Sequence, residues 1–92
     1  MEIKYFAYIR DYTGEKQTSW LTPASDLADL LEQLSAKYGQ KFRNAVFDQT
    51  QKDLNPLIVI LVNARHVEHL NGIHTKLSPN DTIAIFPLLA GG

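Results

Sequence analysis

At 92 residues, with 45% hydrophobic and 21% charged residues, a net charge of −1 and no cysteine, the chain reads as one globular domain with a single modest core. The interspersed charge supplies no electrostatic footprint for nucleic acid or anionic lipid. The missing cysteine excludes a disulfide scaffold, a thiolate metal site and a cysteine nucleophile, and no apolar run approaches the length of a membrane span. Charges at Glu2, Lys4 and Arg10 are out of place in a signal peptide, so a cytoplasmic protein is expected.

EIKYFAYI, residues 2–9, alternates as a strand does. Ile3, Tyr5, Ala7 and Ile9 fall on one face, and Lys4, Phe6 and Tyr8 on the other. DYTGE, residues 11–15, reads as a turn, and residues 17–21 as the returning strand of a hairpin. Pro23 ends that strand. Asp26 is then placed to cap a helix, with Ser25 as a competing cap and Asp29 in the capping-box position. Leu27, Leu30, Leu31, Leu34 and Tyr38 form one apolar stripe, and Gly39 supplies the stop.

Residues 40–56 are less regular, with Phe42, Val46 and Phe47 expected to tuck a helical turn or loop against the core. LIVILVN, residues 57–63, is continuously apolar, a pattern expected of a strand buried on both faces. A turn at Asn63-Ala64 leads to a short strand, RHVEH, and then to a loop whose Ile73 and Leu77 plug the core. Ser78-Pro79-Asn80-Asp81 turns the chain into the last strand, TIAIFP.

The order strand, strand, helix, strand, strand, strand needs the helix to cover one face of the sheet. The simplest solution is an α+β fold of β-grasp type, a mixed sheet of about five strands around one main helix. Its last strand lies centrally and parallel to the first. Parallel pairing would place Phe6 and Phe86 together on the face that the helix leaves open, and Arg10 at the end of the first strand.

No phosphate loop, nucleophile elbow or paired-carboxylate pattern appears, so self-contained catalysis is not expected. His66, His69 and His74 cluster around one hairpin but read as surface residues rather than a metal site, having neither cysteines nor spaced carboxylates beside them. The ending FPLLAGG is the unusual feature. Five residues beyond Pro87 reach on the order of 17 Å when extended, far enough to enter another protein's active site. Leu88, Leu89 and Ala90 suit an apolar groove, and Gly91-Gly92 would pass through a narrow channel because glycine has no side chain. The Gly92 carboxylate is then the group presented for chemistry. It is a poor acyl donor until activated, and nothing in this chain binds a nucleotide.

KYFAYIRDYTG, DLADLLEQLSAKYG, ILVNARHV and LSPNDTIAIFPLLAGG resemble the ubiquitin-like sulfur carriers of the MoaD/ThiS family over essentially the whole chain, and are most similar to the small subunit of molybdopterin synthase. The resemblance implies a single β-grasp domain, residues 1–92, with a flexible tail at residues 88–92. It also implies that an E1-like adenylyltransferase of the MoeB/ThiF type uses ATP to adenylate Gly92. The adenylate would become a thiocarboxylate and give its sulfur to a molybdenum or tungsten cofactor precursor, on a large subunit of the MoaE type. Residues matching Phe6, Arg10 and Phe86 would form the partner surface. Gly91 and Gly92 would enter the partner's active site, and no cofactor or metal would be held by this chain. A modifier conjugated to lysines through Gly92, or a carrier for thiamine thiazole synthesis, is the alternative. Three positions depart from the family pattern: Asn63-Ala64 where Asn-Gly is common, His66 where an apolar residue is common, and Leu88 where a second proline is common.

Overall fold

Alternation holds only for the first four residues of the predicted opening strand. In the computed structural model, which describes residues 1–88, Glu2–Tyr5 (β1) buries Ile3 and Tyr5 and leaves Glu2 and Lys4 in solvent. Phe6 still donates its N–H to the Ile85 carbonyl, but Ala7 then turns through a left-handed φ of 53°. A short helix, Ile9–Thr13 (α1), follows where a strand end and a turn were expected. Ile9 therefore reaches the core from a helix, while Ala7, predicted to share its face, is exposed. Gly14 closes α1 at φ 73°, its N–H on the Arg10 carbonyl at 2.8 Å, the left-handed stop that glycine makes easily.

Gln17–Ser19 (β2) returns antiparallel to β1 as expected. Leu27–Tyr38 (α2) begins at the predicted cap: Asp26 accepts the Asp29 N–H at 2.8 Å. The Asp29 carboxylate in turn accepts the Ser25 N–H at 3.0 Å. Leu27, Leu30, Leu31 and Leu34 are fully buried against Ile3, Ile60, Ile83 and Ile85 of the sheet, each leucine contributing about 1.5–3 kcal/mol relative to exposure. Beyond Gly39 a second helix, Gln40–Val46 (α3), buries Phe42 and Val46, with Phe47 just after it. Between helices and sheet, the Tyr5 hydroxyl donates to Tyr38 at 3.1 Å, and Tyr38 donates to the Glu15 carboxylate at 2.6 Å. Burial, then the bond to Glu15, pushes the Tyr38 phenol up to about 12.

Ile58–Val62 (β3), Arg65–His66 (β4) and Thr82–Pro87 (β5) complete the sheet in the order β2-β1-β5-β3-β4. The last strand is central, parallel to β1 and antiparallel to β3, as the β-grasp reading requires. Pro87 sits at the end of β5, where β1 has already turned away at Ala7, so its missing N–H removes no bond from a continuing ladder.

Two further expectations are corrected. β3 is not buried on both faces: Ile58, Ile60 and Val62 face the helices, while Val59 and Leu61 are only half-covered. The helices pack on one side only, so the second face of an apolar run stays open. The strand predicted over RHVEH stops at His66, and Val67–His69 forms a 3-10 turn that drops Val67 into the core. Ile73 is buried and Leu77 is partly buried against the core, as the plug was expected to be.

The β3–β4 hairpin turns through Asn63 (φ 51°) and Ala64 (φ 69°), both left-handed. Asparagine tolerates that region, but alanine does so at a cost of about 1 kcal/mol. Replacing Ala64 with glycine is expected to raise unfolding stability by up to about 0.5 kcal/mol in denaturant titration, after the larger unfolded-state freedom of glycine is subtracted. A loss of stability would mean that the alanine methyl makes a compensating contact.

Candidate docking face and activation tail

The face of the sheet away from the helices is built by strand register. Val59 stands opposite Phe86, and Leu61 opposite Ala84. Because side chains alternate, these four share one face, and Ile58, Ile60 and Ile85 share the other. The ladder continues one step beyond the strands, where Leu88 donates its N–H to the Leu57 carbonyl at 2.7 Å. Leu57 and Leu88 thus return to the open face, and both are more than half exposed, at 59% and 57%. Two apolar columns result, Leu57-Val59-Leu61 on β3 and Ala84-Phe86-Leu88 on β5.

Phe6 adds a third column from β1. Its ring meets Phe86 edge to face, with centroids 5.9 Å apart and planes at 85°, a favoured aromatic geometry. The two phenylalanines are therefore brought together on the open face, as the parallel pairing of β1 and β5 predicted. Phe6, Ala7, Leu61, Ala84, Phe86 and Pro87 line one shallow apolar concavity there.

Arg10 belongs to α1 rather than to a strand end. Its Nε donates to the Tyr5 carbonyl at 2.8 Å, and its guanidinium lies 5.5 Å from the centre of the Phe6 ring. The arginine is thereby held at the rim of the apolar face with part of its donor set committed. Lys4 rims the same face, in register with Ala84. His66 rims the opposite side, in register with Leu61.

Of the residues expected to act, Phe6, Arg10, Phe86 and Leu88 come together around this face. Leu89, Ala90, Gly91 and Gly92 lie outside the described residues. Val59, Leu61 and Leu57 were missed, because a continuous apolar run reads as doubly buried. Leu57 and Pro56 at the start of the run gave the available signal, since a strand entered through proline from a polar loop begins near the surface. Among the described residues no helix is long and apolar enough to cross a membrane, and no three histidine or acidic side chains converge as a metal site would need.

The sequence profile of the ThiS family matches residues 3–92. The chain belongs to the ThiS family. It is 31% identical to small archaeal modifier protein 3 of Haloferax volcanii, across 100% of this chain and 98% of that protein. Its fold also matches a Pyrococcus furiosus protein assigned as subunit 1 of molybdopterin converting factor, at TM-score 0.74 and 25% identity over 96% of this chain and 95% of that one. The Amycolatopsis orientalis BexX/CysO complex contains a chain matching at TM-score 0.84 over 99% and 98% of the two chains, but at 20% identity it speaks for the fold alone. This ThiS-family chain is thus a member of the ubiquitin-like sulfur carriers and modifiers, with the β-grasp fold of those neighbours.

Proposed function

We propose that this protein carries sulfur on Gly92 for synthesis of molybdopterin, the organic part of the molybdenum and tungsten cofactors. The observation that carries the reading is the continuity of the apolar face into Leu88. A protein that grips Phe6, Phe86 and Leu61 stands at the root of the segment bearing Gly91 and Gly92. The family match that runs to residue 92 supports the sulfur-carrier part of this reading.

In this reading an E1-like adenylyltransferase supplies the nucleotide site. A Gly92 carboxylate oxygen attacks the α-phosphorus of ATP and pyrophosphate leaves. Hydrosulfide then attacks the acyl carbon and AMP leaves with the bonding pair of the broken C–O bond, and loss of the S–H proton gives the thiocarboxylate. The second partner is a catalytic large subunit that takes that sulfur onto the cofactor precursor. Phe6, Arg10, Phe86 and Leu88 grip both partners in turn, while Leu89 and Ala90 make apolar contacts in the channel and Gly91 lets the backbone pass. The chain itself is not an enzyme and binds no cofactor. It works where ATP-dependent activation takes place, in the cytoplasm.

Intact mass spectrometry tests the proposal. Incubation with ATP, the adenylyltransferase of the same organism and a sulfur donor should raise the mass by the difference between sulfur and oxygen, localised to Gly92. The full-length similarity to a small archaeal modifier protein favours a second reading, conjugation of Gly92 to lysines. Lysine-linked ladders in extract, without sulfur transfer to a cofactor precursor, would favour that reading over the first.

A further inference from the structure

The rim residue His66 is held in one tautomer. The Glu68 backbone N–H donates to His66 Nδ1 at 3.0 Å, so His66 caps the 3-10 turn Val67–His69 with its own ring. A nitrogen that accepts a backbone N–H carries no proton, and the neutral ring must then bear its hydrogen on Nε2. Among the described residues, no acceptor for Nε2 is within hydrogen-bond distance. The His69 ring packs edge-on against it, with centroids 5.8 Å apart and planes at 74°, and so limits its rotation.

Register puts this donor at the edge of the apolar face. Gln17, Lys4, Ala84, Leu61 and His66 form one row across all five strands. The row places Lys4 on one side of the Ala84-Leu61 pair and His66 on the other, about three strand spacings or ~14 Å apart. A protein that covers the apolar pair also covers the half-buried imidazole. An N–H that is buried without an acceptor loses its water and gains nothing.

We propose that His66 is a specificity-determining residue of the docking face. Its Nε2–H selects an adenylating enzyme whose docking surface presents an apolar centre edged by a carboxylate opposite His66, with Lys4 and Arg10 favouring further acidic groups at the other rim. A partner that is apolar at that point is rejected, because it leaves the donor unpaired. This inference rests on the reading that the open face docks the activating enzyme.

Three measurements test it. Long-range proton–nitrogen NMR of the free protein should show the Nε2–H tautomer, and a dominant Nδ1–H form would overturn the inference. Calorimetry with the adenylyltransferase of the same organism, in the absence of ATP, should show His66→Leu weakening binding by about tenfold. His66→Gln, whose amide can place an N–H near the same point, should recover affinity to within about threefold of the parent. If Leu at that position binds as well as His, or if Gln recovers nothing, the donor role fails. Phe86→Asp, measured alongside, separates the two layers. Lost binding in that variant with unchanged binding of His66→Leu removes the histidine and keeps the docking face. Unchanged binding in both removes the docking face and the histidine with it.

Discussion

A chain shortened to end at Ala90 should gain no sulfur. With ATP, the adenylyltransferase and a sulfur donor, its mass is expected to stay unchanged and pyrophosphate release to fall to background. Its unfolding free energy should remain within about 0.5 kcal/mol of the parent, because among the described residues the buried core ends at Pro87, before the two residues removed. In the proposed reading two effects would produce the loss. The carboxylate would be drawn back by two residues, about 7 Å of extended chain, and a side chain would occupy the last position, where a channel narrow enough to exclude one would favour glycine. Undiminished activation of the shortened chain would show that Gly92 is not the group activated.

The second large effect separates the two faces of one strand. Phe86→Asp should weaken binding to the adenylyltransferase and to the large subunit by about 30-fold or more, the loss expected when an anchor ring at an interface centre becomes a charge. Its circular dichroism and cooperative unfolding should stay close to the parent, because the ring packs on Phe6 and solvent rather than under α2. Ile85→Ala, one residue earlier, should do the reverse. Its side chain is fully buried, so truncation costs about 2–5 kcal/mol of stability, and whatever remains folded should bind normally. If Phe86→Asp unfolds the protein while Ile85→Ala does not, the faces of β5 are assigned backwards.

The contrast between these neighbours shows which features could be read ahead of the structure. The α2 stripe was legible because Leu27, Leu30, Leu31 and Leu34 repeat at helical spacing between a side-chain cap and a glycine stop. Both signals are local, and packing reinforced them. The central place of β5 and the pairing of Phe6 with Phe86 were also legible, since one helix and a strand order of this kind leave few ways to bury the leucines.

The N-terminal segment was not. Strand alternation runs on through Ala7 and Ile9, and only the left-handed turn at Ala7 shows that Ile9 enters the core from α1. Alternation over a few residues cannot report a change of direction. The same limit applied to β3: IVILV looks alike whether one face or both are covered, because coverage depends on how many layers the rest of the chain supplies. The short helices α1 and α3 have no side-chain cap at their starts and depend on core contacts through Ile9, Phe42 and Val46.

The sequence by itself determined the fold class, the sulfur-carrier and modifier family, the helix that packs its leucine stripe on the sheet, and the diglycine ending on which the proposed chemistry rests. Each of these is written in local spacing or in the identity of a few residues. The extent of the docking face was decided only by tertiary structure. Leu57, Val59 and Leu61 join Phe6, Phe86 and Leu88 through strand register, a relation between residues far apart in the chain. The fixed donor of His66 arises in the same way, from a 3-10 turn that ends a strand early and from a neighbouring strand that sets Leu61 beside it.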